Sequence, residues 1–282
     1  MKKHIFITII LLLALLTSCG TNGKELPKDN PGPETPPVTT PSGPAIINSG
    51  EVSPKDMKDP RWPVPIMYHL IMEEPYSPYT ALFVKPADFK AQIAKFCKEG
   101  YDFVFADEYK IHDGKGVVLT FDDGYEDNYS TMFPVLKEYN AHATIFLIEN
   151  LIGTDGYLTE EQIKEMADSG LVHFGWHTQN HTELPSMKEG NLRKDLEEGK
   201  LKVEELTGMP CRAFAYPGGK YDSKSASVVE DCFDFAYTTE SSPTEWPSNK
   251  LIPRVYAARG DSAATLLNKV KKMADFLPVD IK

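Results

Sequence analysis

Two adjacent carboxylates, Asp122 and Asp123, follow a run of apolar and β-branched residues, and Gly124 comes directly after them. Such a run is typical of a buried strand in an α/β domain, and consecutive residues at a strand end point in opposite directions. The two carboxylates can therefore have different surroundings and different pKa values, so that one binds a metal ion while the other acts as a general base. An ordinary turn with solvated acids has the same pattern.

Two histidines, His177 and His181, lie four residues apart just after a second predicted strand. Imidazoles at this spacing can bind one metal ion whether the segment forms a helical turn or a tight loop. Together with Asp123 they make a His-His-Asp set that leaves coordination positions for water, which is the form of a catalytic rather than a structural metal site. Histidines also cap turns, and that is the alternative for this pair.

The elements that would position these residues alternate between strands and helices. Strand patterns begin near Val64, Tyr101, Val117, Ala143, Val172, Ala213 and Phe235, and helical patterns cover about 86–99, 129–139, 159–170, 192–206, 224–231 and 262–276. About seven β/α units predict an α/β fold with parallel strands. So many consecutive units suit a barrel at least as well as an open sheet.

The N-terminal residues 1–19 have the pattern of a secretory signal, with Lys2 and Lys3 before an apolar run that is too short to span a membrane. Cys19 follows small residues, which resembles a bacterial lipoprotein signal in which Cys19 is lipidated; a plain export signal with a chance cysteine is the alternative. Residues 20–50 are rich in Pro, Gly and Thr and predict a flexible tether before a folded domain at 51–282. The expected location is the cell envelope, with the protein lipid-anchored to a bacterial membrane and either periplasmic or surface-exposed.

The bulk composition limits the class of partner. Of the 282 residues, 41% are hydrophobic and 25% are charged, as in ordinary globular proteins. The net charge of −11 disfavours a polyanion such as nucleic acid as the main partner. Four cysteines without a CxxC pair indicate neither a zinc ribbon nor a disulfide framework, although Cys211 and Cys232 could form one disulfide in an exported protein. These features are compatible with a monomer and do not define an oligomeric state.

Two motifs resemble a known family. Thr120-Phe121-Asp122-Asp123-Gly124 and His177-Thr178-x-x-His181 are similar to the first two motifs of the polysaccharide deacetylases, carbohydrate esterase family 4, and the similarity covers about Val64 to Leu277. The resemblance implies a distorted (β/α)7 barrel, a divalent metal ion (usually zinc, sometimes cobalt or nickel) and hydrolysis of acetyl groups on a polysaccharide. It also implies that Asp122 is the catalytic base and that Asp123, His177 and His181 are the metal ligands.

The third family motif is altered in this chain. Ala215 stands where the family has an arginine, while Tyr216, Pro217 and Gly218 follow it. A backbone N–H in this segment is expected to stabilise the oxyanion of the reaction. The family's Asp-x-x-Asp-Trp and Leu-x-His motifs have no convincing match.

These departures resemble a circularly permuted subgroup, the exported poly-N-acetylglucosamine deacetylases. In that subgroup a Tyr-His after the first strand supplies the late histidine, and Tyr68-His69 resembles this element. The resemblance implies that His69 is the catalytic acid and that Arg254 replaces the missing arginine beside the base.

The resulting hypothesis is a metal-dependent hydrolase that removes acetyl groups from N-acetylglucosamine residues of an extracellular or cell-envelope polysaccharide. Two alternatives stay open: an O-acetyl esterase on acetylated xylan or a similar glycan, and a non-catalytic carbohydrate-binding lipoprotein. The aromatic residues Trp246 and Tyr256 could stack on sugar rings. His142 and His173 are expected to be hydrogen-bonded structural histidines, and His112 a solvated one.

Overall fold

The structure is a computed structural model that describes residues 58–74, 82–241 and 248–277, all within the unit Ser49–Lys282. The predicted signal with Cys19, the predicted tether at residues 20–50, and Trp246 lie outside the described residues. Their assignments therefore stay predictions. Within the described ranges, none of the helices is long and apolar enough to cross a membrane.

Strands and helices alternate along the described part of the chain. The strands are β1 (Pro60–Arg61), β2 (Val64–Tyr68), β3 (Leu70–Ile71), β4 (Phe83–Val84), β5 (Tyr101–Phe103), β6 (His112–Asp113), β7 (Lys115–Asp123), β8 (Ala143–Leu147), β9 (Val172–Trp176), β10 (Ala213–Ala215), β11 (Phe235–Tyr237) and β12 (Val255–Tyr256). The α-helices are α1 (Pro86–Lys98), α2 (Phe133–Tyr139), α3 (Glu160–Asp168), α4 (Glu189–Thr207), α5 (Ser223–Cys232) and α6 (Ala263–Phe276). A π-helical segment, Asn128–Met132, leads directly into α2.

The central sheet is parallel throughout. Its strand order is β11-β10-β9-β8-β7-β2-β12, and β5 pairs with the first residues of β7. The amide of Ile252 donates to the carbonyl of Ala236 at 2.8 Å, and the amide of Thr238 donates to the carbonyl of Ile252 at 2.9 Å. The chain just before β12 is thus bonded to β11, while β12 itself pairs with β2 at the other edge. The sheet curls into a distorted (β/α)7 barrel, which confirms the predicted fold class.

The helices pack through the faces that their sequences predict. Phe89, Ile93 and Phe96 of α1 are buried, at the spacing of a single helix face. The helix α3 begins with a capping box, in which the Thr159 side chain accepts from the Gln162 backbone amide and the Gln162 side chain accepts from the Thr159 backbone amide. These caps and faces fix the helices against the strands whose ends carry the site.

The helix α4 packs unusually closely on β9. A Cβ atom at Gly199 would lie 1.9 Å from the indole of Trp176, a separation that only a glycine permits. The indole Nε1 also donates to Asp195 of the same helix at 3.0 Å. The helix thereby holds the end of β9, directly before His177. Cys211 and Cys232, whose state the sequence left open, are free thiols.

Candidate active site

Asp122 and Asp123 end β7, the strand at the centre of the sheet. Asp122 is 2% exposed and Asp123 is 8% exposed, so neither is a solvated turn acid. Their side chains point to different neighbours, because successive residues of a strand face opposite sides. The ordinary-turn alternative for this pair is therefore wrong.

The structure brings Asp123, His177 and His181 together. Oδ1 of Asp123 lies 3.5 Å from Nε2 of His177 and 3.7 Å from Nε2 of His181. One ligand atom from each residue lies within 4.8 Å of the others. A mixed set of two imidazoles and a carboxylate suits zinc, cobalt or nickel, and three protein ligands leave coordination positions open.

The hydrogen bonds around this set fit a metal ion. Nδ1 of His177 donates to the carbonyl of Ala215 at 2.7 Å, because a carbonyl oxygen can only accept, and this leaves Nε2 as the free lone pair. Oδ1 of Asp123 is buried and has no hydrogen-bond partner among the described residues. Burial lowers the pKa of His177, although Asp122 and Asp123 oppose the shift, so the imidazole is neutral and ready to bind a metal.

Backbone strain collects at the same residues. Among the described residues, four that are not glycine have a left-handed φ: Asp123 at 76°, Thr178 at 68°, His181 at 53° and Asn140 at 48°. Asn140 ends the helix α2, where this conformation is common. The other three lie at or beside the proposed metal ligands, as expected where a site imposes an unfavourable backbone.

Arg254 lies directly against Asp122. Its Nη1 and Nη2 donate to Oδ1 and Oδ2 of Asp122 at 2.6 and 2.7 Å, and the guanidinium is fully buried. Arg254 is itself fixed by bonds from Nε to the carbonyl of Thr238 at 2.8 Å and from Nη1 to the hydroxyl of Thr120 at 3.1 Å. Burial alone would raise the pKa of Asp122, but the charge and hydrogen bonds of Arg254 hold it well below its usual range.

His69 follows the last residue of β2 and lies in the same site. Its Nε2 is 3.9 Å from Oδ2 of Asp122, and its side chain is 11% exposed. Burial lowers the pKa of His69, while the carboxylates of Asp122 and Asp123 oppose the shift. Once protonated, this imidazole is a stronger acid than an ordinary histidine.

The prediction that the segment after β10 supplies an N–H to the oxyanion is wrong for two of its three residues. The amide of Tyr216 donates to the carbonyl of Tyr237 at 3.0 Å, so this N–H cannot serve an oxyanion. Pro217 has no N–H, and the phenol of Tyr216 donates to the carbonyl of Lys250 at 3.0 Å. Of the three residues named from the sequence, Gly218 is the one whose amide could stabilise an oxyanion, and Gly218 does line the site.

These groups surround a cavity of about 650 Å³, here called the central cleft. Its lining comprises Met67, His69, Leu82, Asp122, Asp123, Tyr125, Ile148, Leu151, Tyr157, His177, His181, Gly218, Thr239, Ser241 and Tyr256. Tyr157 has no motif in the sequence that would have identified it. It enters the cleft because its ring stacks on Tyr125, with ring centres 5.0 Å apart. Tyr256, which the sequence named as an aromatic candidate, also lies there.

Known proteins resemble the chain in sequence and in fold. A family model described as polysaccharide deacetylase matches residues 110–233. A poly-beta-1,6-N-acetyl-D-glucosamine N-deacetylase of Staphylococcus epidermidis is 29% identical over 210 residues, which are 66% of this chain and 71% of that protein.

Two solved structures share the fold. A polysaccharide deacetylase from Bacillus cereus matches with a TM-score of 0.69 and 28% identity, over 75% of this chain and 69% of its own. The Streptococcus pyogenes deacetylase PplD, solved with acetate, matches with a TM-score of 0.68 and 27% identity, over 75% of this chain and 99% of its own. The circular permutation stays a prediction. Its motifs, its barrel and these likenesses make the chain similar to the polysaccharide deacetylases, whose family model matches residues 110–233.

Proposed function

We propose that the protein is a metal-dependent polysaccharide deacetylase that removes acetyl groups from N-acetylglucosamine residues of an extracellular or cell-envelope polysaccharide. The observation that carries the proposal is that a buried, arginine-paired Asp122 lines the same cleft as the Asp123, His177 and His181 set. The named activity of the Staphylococcus epidermidis relative supports an amide-linked acetyl group as the target.

Asp122 accepts the proton of the attacking water. Its lowered pKa keeps the carboxylate ionised, and Arg254 holds both of its oxygens in place. Because its carboxylate is held in one orientation, the base does not have to reorient as the water approaches the acetyl carbon. The arginine that the third motif lacks is in effect supplied from just before β12.

His69 supplies the proton that the leaving nitrogen needs. As the C–N bond breaks, Nε2 of His69 protonates the amine, and acetate remains as the second product. The separation of 3.9 Å between Nε2 and Asp122 lets the two side chains face the same reacting group. The amide of Gly218 donates to the oxyanion that forms on the acetyl oxygen.

Asp123, His177 and His181 hold the divalent cation, for which zinc is the first candidate and cobalt and nickel are the others. When bound, such a cation lowers the pKa of water toward about 7 and polarises a carbonyl oxygen. The unpartnered Oδ1 of Asp123 and the tautomer of His177 are the features that support this assignment.

The cellular setting follows from the N-terminal sequence. We place the protein in the cell envelope, attached to a bacterial membrane through lipidated Cys19, with the tether at residues 20–50 leaving the domain free to reach a polysaccharide. A single acyl chain binds membranes only marginally, so stable attachment requires more than one chain.

Acetate release from a panel of acetylated glycans tests the proposal. The panel contains β-1,6-linked poly-N-acetylglucosamine, chitin oligomers and acetylated xylan, each with the full-length protein, with chelator, and with zinc restored. We expect acetate from an N-acetylglucosamine polymer that chelator abolishes and zinc restores. Acetate from xylan alone would favour the O-acetyl esterase, and acetate from none of the three would favour the non-catalytic lipoprotein.

A further inference from the structure

His69 lies on a turn outside the paired strands of the barrel. The strand β2 ends at Tyr68, which pairs with β7, and β3 begins at Leu70, which pairs with β4 in a separate two-stranded sheet. His69 is the single residue between these two sheets. Its backbone therefore takes no part in either strand pairing.

One nitrogen of the imidazole has no hydrogen-bond partner among the described residues. Nδ1 of His69 is buried, and no described residue hydrogen-bonds to it. Oδ2 of Asp122 lies 3.9 Å from Nε2, which is longer than a hydrogen bond. The direction of the ring must then depend on how the backbone of the turn is fixed.

The side chains of Asn128 and Asp127 hydrogen-bond to the backbone of this turn. Nδ2 of Asn128 donates to the carbonyl of His69 at 3.0 Å, and Oδ2 of Asp127 accepts from the amide of Ile71 at 3.0 Å. Nδ2 of Asn128 also donates to Oδ1 of Asp127 at 2.9 Å, so the two side chains that bond to the turn also bond to each other. Asn128 is fully buried, so water cannot replace its bond to the carbonyl.

Asp127 and Asn128 come shortly after the strand β7, which carries the base. Asn128 opens the π-helical segment only six residues after Asp122, and its amide donates to the carbonyl of Tyr125 at 3.1 Å. π-Helical turns are rare and occur often at functional sites. The segment that follows β7, the strand of the base, thus bonds to the turn that carries the acid.

We propose that Asp127 and Asn128 are positioning residues, which hold the turn around His69 so that its imidazole reaches the leaving nitrogen. This inference rests on the proposed function, because it assigns His69 as the acid. It goes beyond that function by making the acid step depend on a hydrogen-bonded pair that touches neither substrate nor metal.

The test compares an amide with an ester that needs no acid. Full-length, metal-loaded Asn128→Ala is assayed for acetate release from N-acetylglucosamine oligomers and from a phenyl acetate, whose leaving group departs without protonation. A displaced acid should cost about 10- to 100-fold in kcat on the amide and no more than about threefold on the ester. Ser130→Ala is the matched control, because Ser130 lies on the same segment, is exposed and bonds to Glu126.

A double-mutant cycle separates positioning from general damage. In a His69→Ala background, adding Asn128→Ala should change amide hydrolysis less than about twofold, because the acid is already absent. Asn128→Asp, which keeps the volume of the side chain but removes the donor, repeats the test if the alanine variant does not fold.

Two results would overturn the inference. The first is an equal loss on both substrates, and the second is a full additional loss in the His69→Ala background. Bound metal near wild-type content is expected in each variant. If the wild-type protein hydrolysed the ester but no amide, the proposed function would fail instead, and the two failures are thereby distinguishable.

Discussion

Asp122 and Asp123 are adjacent in the chain, yet they meet different chemical groups. Both oxygens of Asp122 accept from Arg254, whereas Oδ1 of Asp123 faces two imidazoles and accepts no hydrogen bond from a described residue. The alternation of side chains along β7 produces this division. In the proposed function, one carboxylate is thereby the proton acceptor and the other a metal ligand.

Replacement of a metal ligand tests the second role. His177→Ala should lose most of the bound divalent ion, because three ligands become two. Metal content per chain, measured after dialysis by elemental analysis, is the readout. His173→Ala on the preceding strand β9 is the control, since His173 bonds to Asp107 at 2.8 Å and is not part of the Asp123, His177 and His181 set. Full metal retention in His177→Ala would contradict the assignment.

The stability of the fold should depend on Asp127 near neutral pH. Burial, with a contribution from Glu126, raises the pKa of Asp127 to about 7, although bonds from Ile71 and Asn128 oppose the shift. A raised carboxyl pKa means that the folded state keeps a proton that the unfolded state has lost. The contribution of Asp127 to stability is therefore greatest at acid pH and falls as pH rises from about 4 to about 7.

The corresponding experiment follows the free energy of unfolding from pH 4 to pH 8. Relative to wild type, Asp127→Asn should gain stability across this window by on the order of 1–3 kcal/mol. Asp102→Asn, at an exposed position on β5, should track wild type. A pH-independent difference between Asp127→Asn and wild type would show that Asp127 does not titrate there.

At the residue scale, the sequence motifs named residues that the structure brings into one site, but not the residues that hold them there. Sequence motifs contain Asp122, Asp123, His177 and His181. Asn128, in contrast, bonds to the carbonyl of His69, 59 residues earlier, and no local sequence pattern predicts so distant a contact. His142 and His173 are hydrogen-bonded structural histidines, as predicted. The prediction for His112 is wrong, because both of its ring nitrogens are buried.

At the element scale, the contact between α4 and β9 governs the position of His177. Trp176 fills the space opposite Gly199, and its indole bonds to Asp195. The amide of His177 in turn donates to the carbonyl of Leu147 on β8 at 2.9 Å. A shift of α4 would therefore move the end of β9 and a proposed metal ligand with it.

Gly199→Ala tests this packing. The added methyl overlaps the indole of Trp176, so the variant should lose about 1–3 kcal/mol of stability although alanine favours a helix by about 1 kcal/mol. Metal affinity should fall as well. Gly190→Ala on the same helix meets no atom within 4 Å and should be neutral or slightly stabilising. Denaturant midpoints measure both, and equal stability of the two variants would contradict the account.

Long helices and strands are predictable from the sequence, whereas very short strands are not. Helices and barrel strands with several turns or a long apolar run were placed within a few residues, because their burial patterns are periodic. The two-residue strands β1, β3, β4, β6 and β12 were not predicted, since such short strands have no period to detect. The π-helical segment before α2 lies within the range predicted as helix, and its wider turn has no sequence pattern of its own.

At the scale of the whole molecule, the parallel barrel explains why distant residues meet. The carboxyl ends of parallel strands open on one face, so His69 after β2, the carboxylates ending β7 and His177 after β9 converge there. Arg254 reaches the same face from just before β12, and its bonds to Asp122 span 132 residues. The site therefore depends on which strand ends carry these residues and not on the order of the residues along the chain.

The attachment of the molecule to a membrane is a separate prediction. Full-length protein from its native host should partition into the detergent phase, and Cys19→Ser should move to the aqueous phase because it cannot be lipidated. Cys97→Ser, an exposed cysteine on α1, is the control and should partition as wild type. A wild-type protein found in the aqueous phase would contradict the anchor.

The most direct test of the central claim is acetate release by Asp122→Asn from poly-N-acetylglucosamine, measured at the same bound-metal content as wild type. Asparagine fills the same space but cannot accept the proton of the attacking water. We expect activity to fall by on the order of 10²-fold or more while about one metal ion per chain is retained. Activity within a few-fold of wild type, with the metal still bound, would show that Asp122 is not the base.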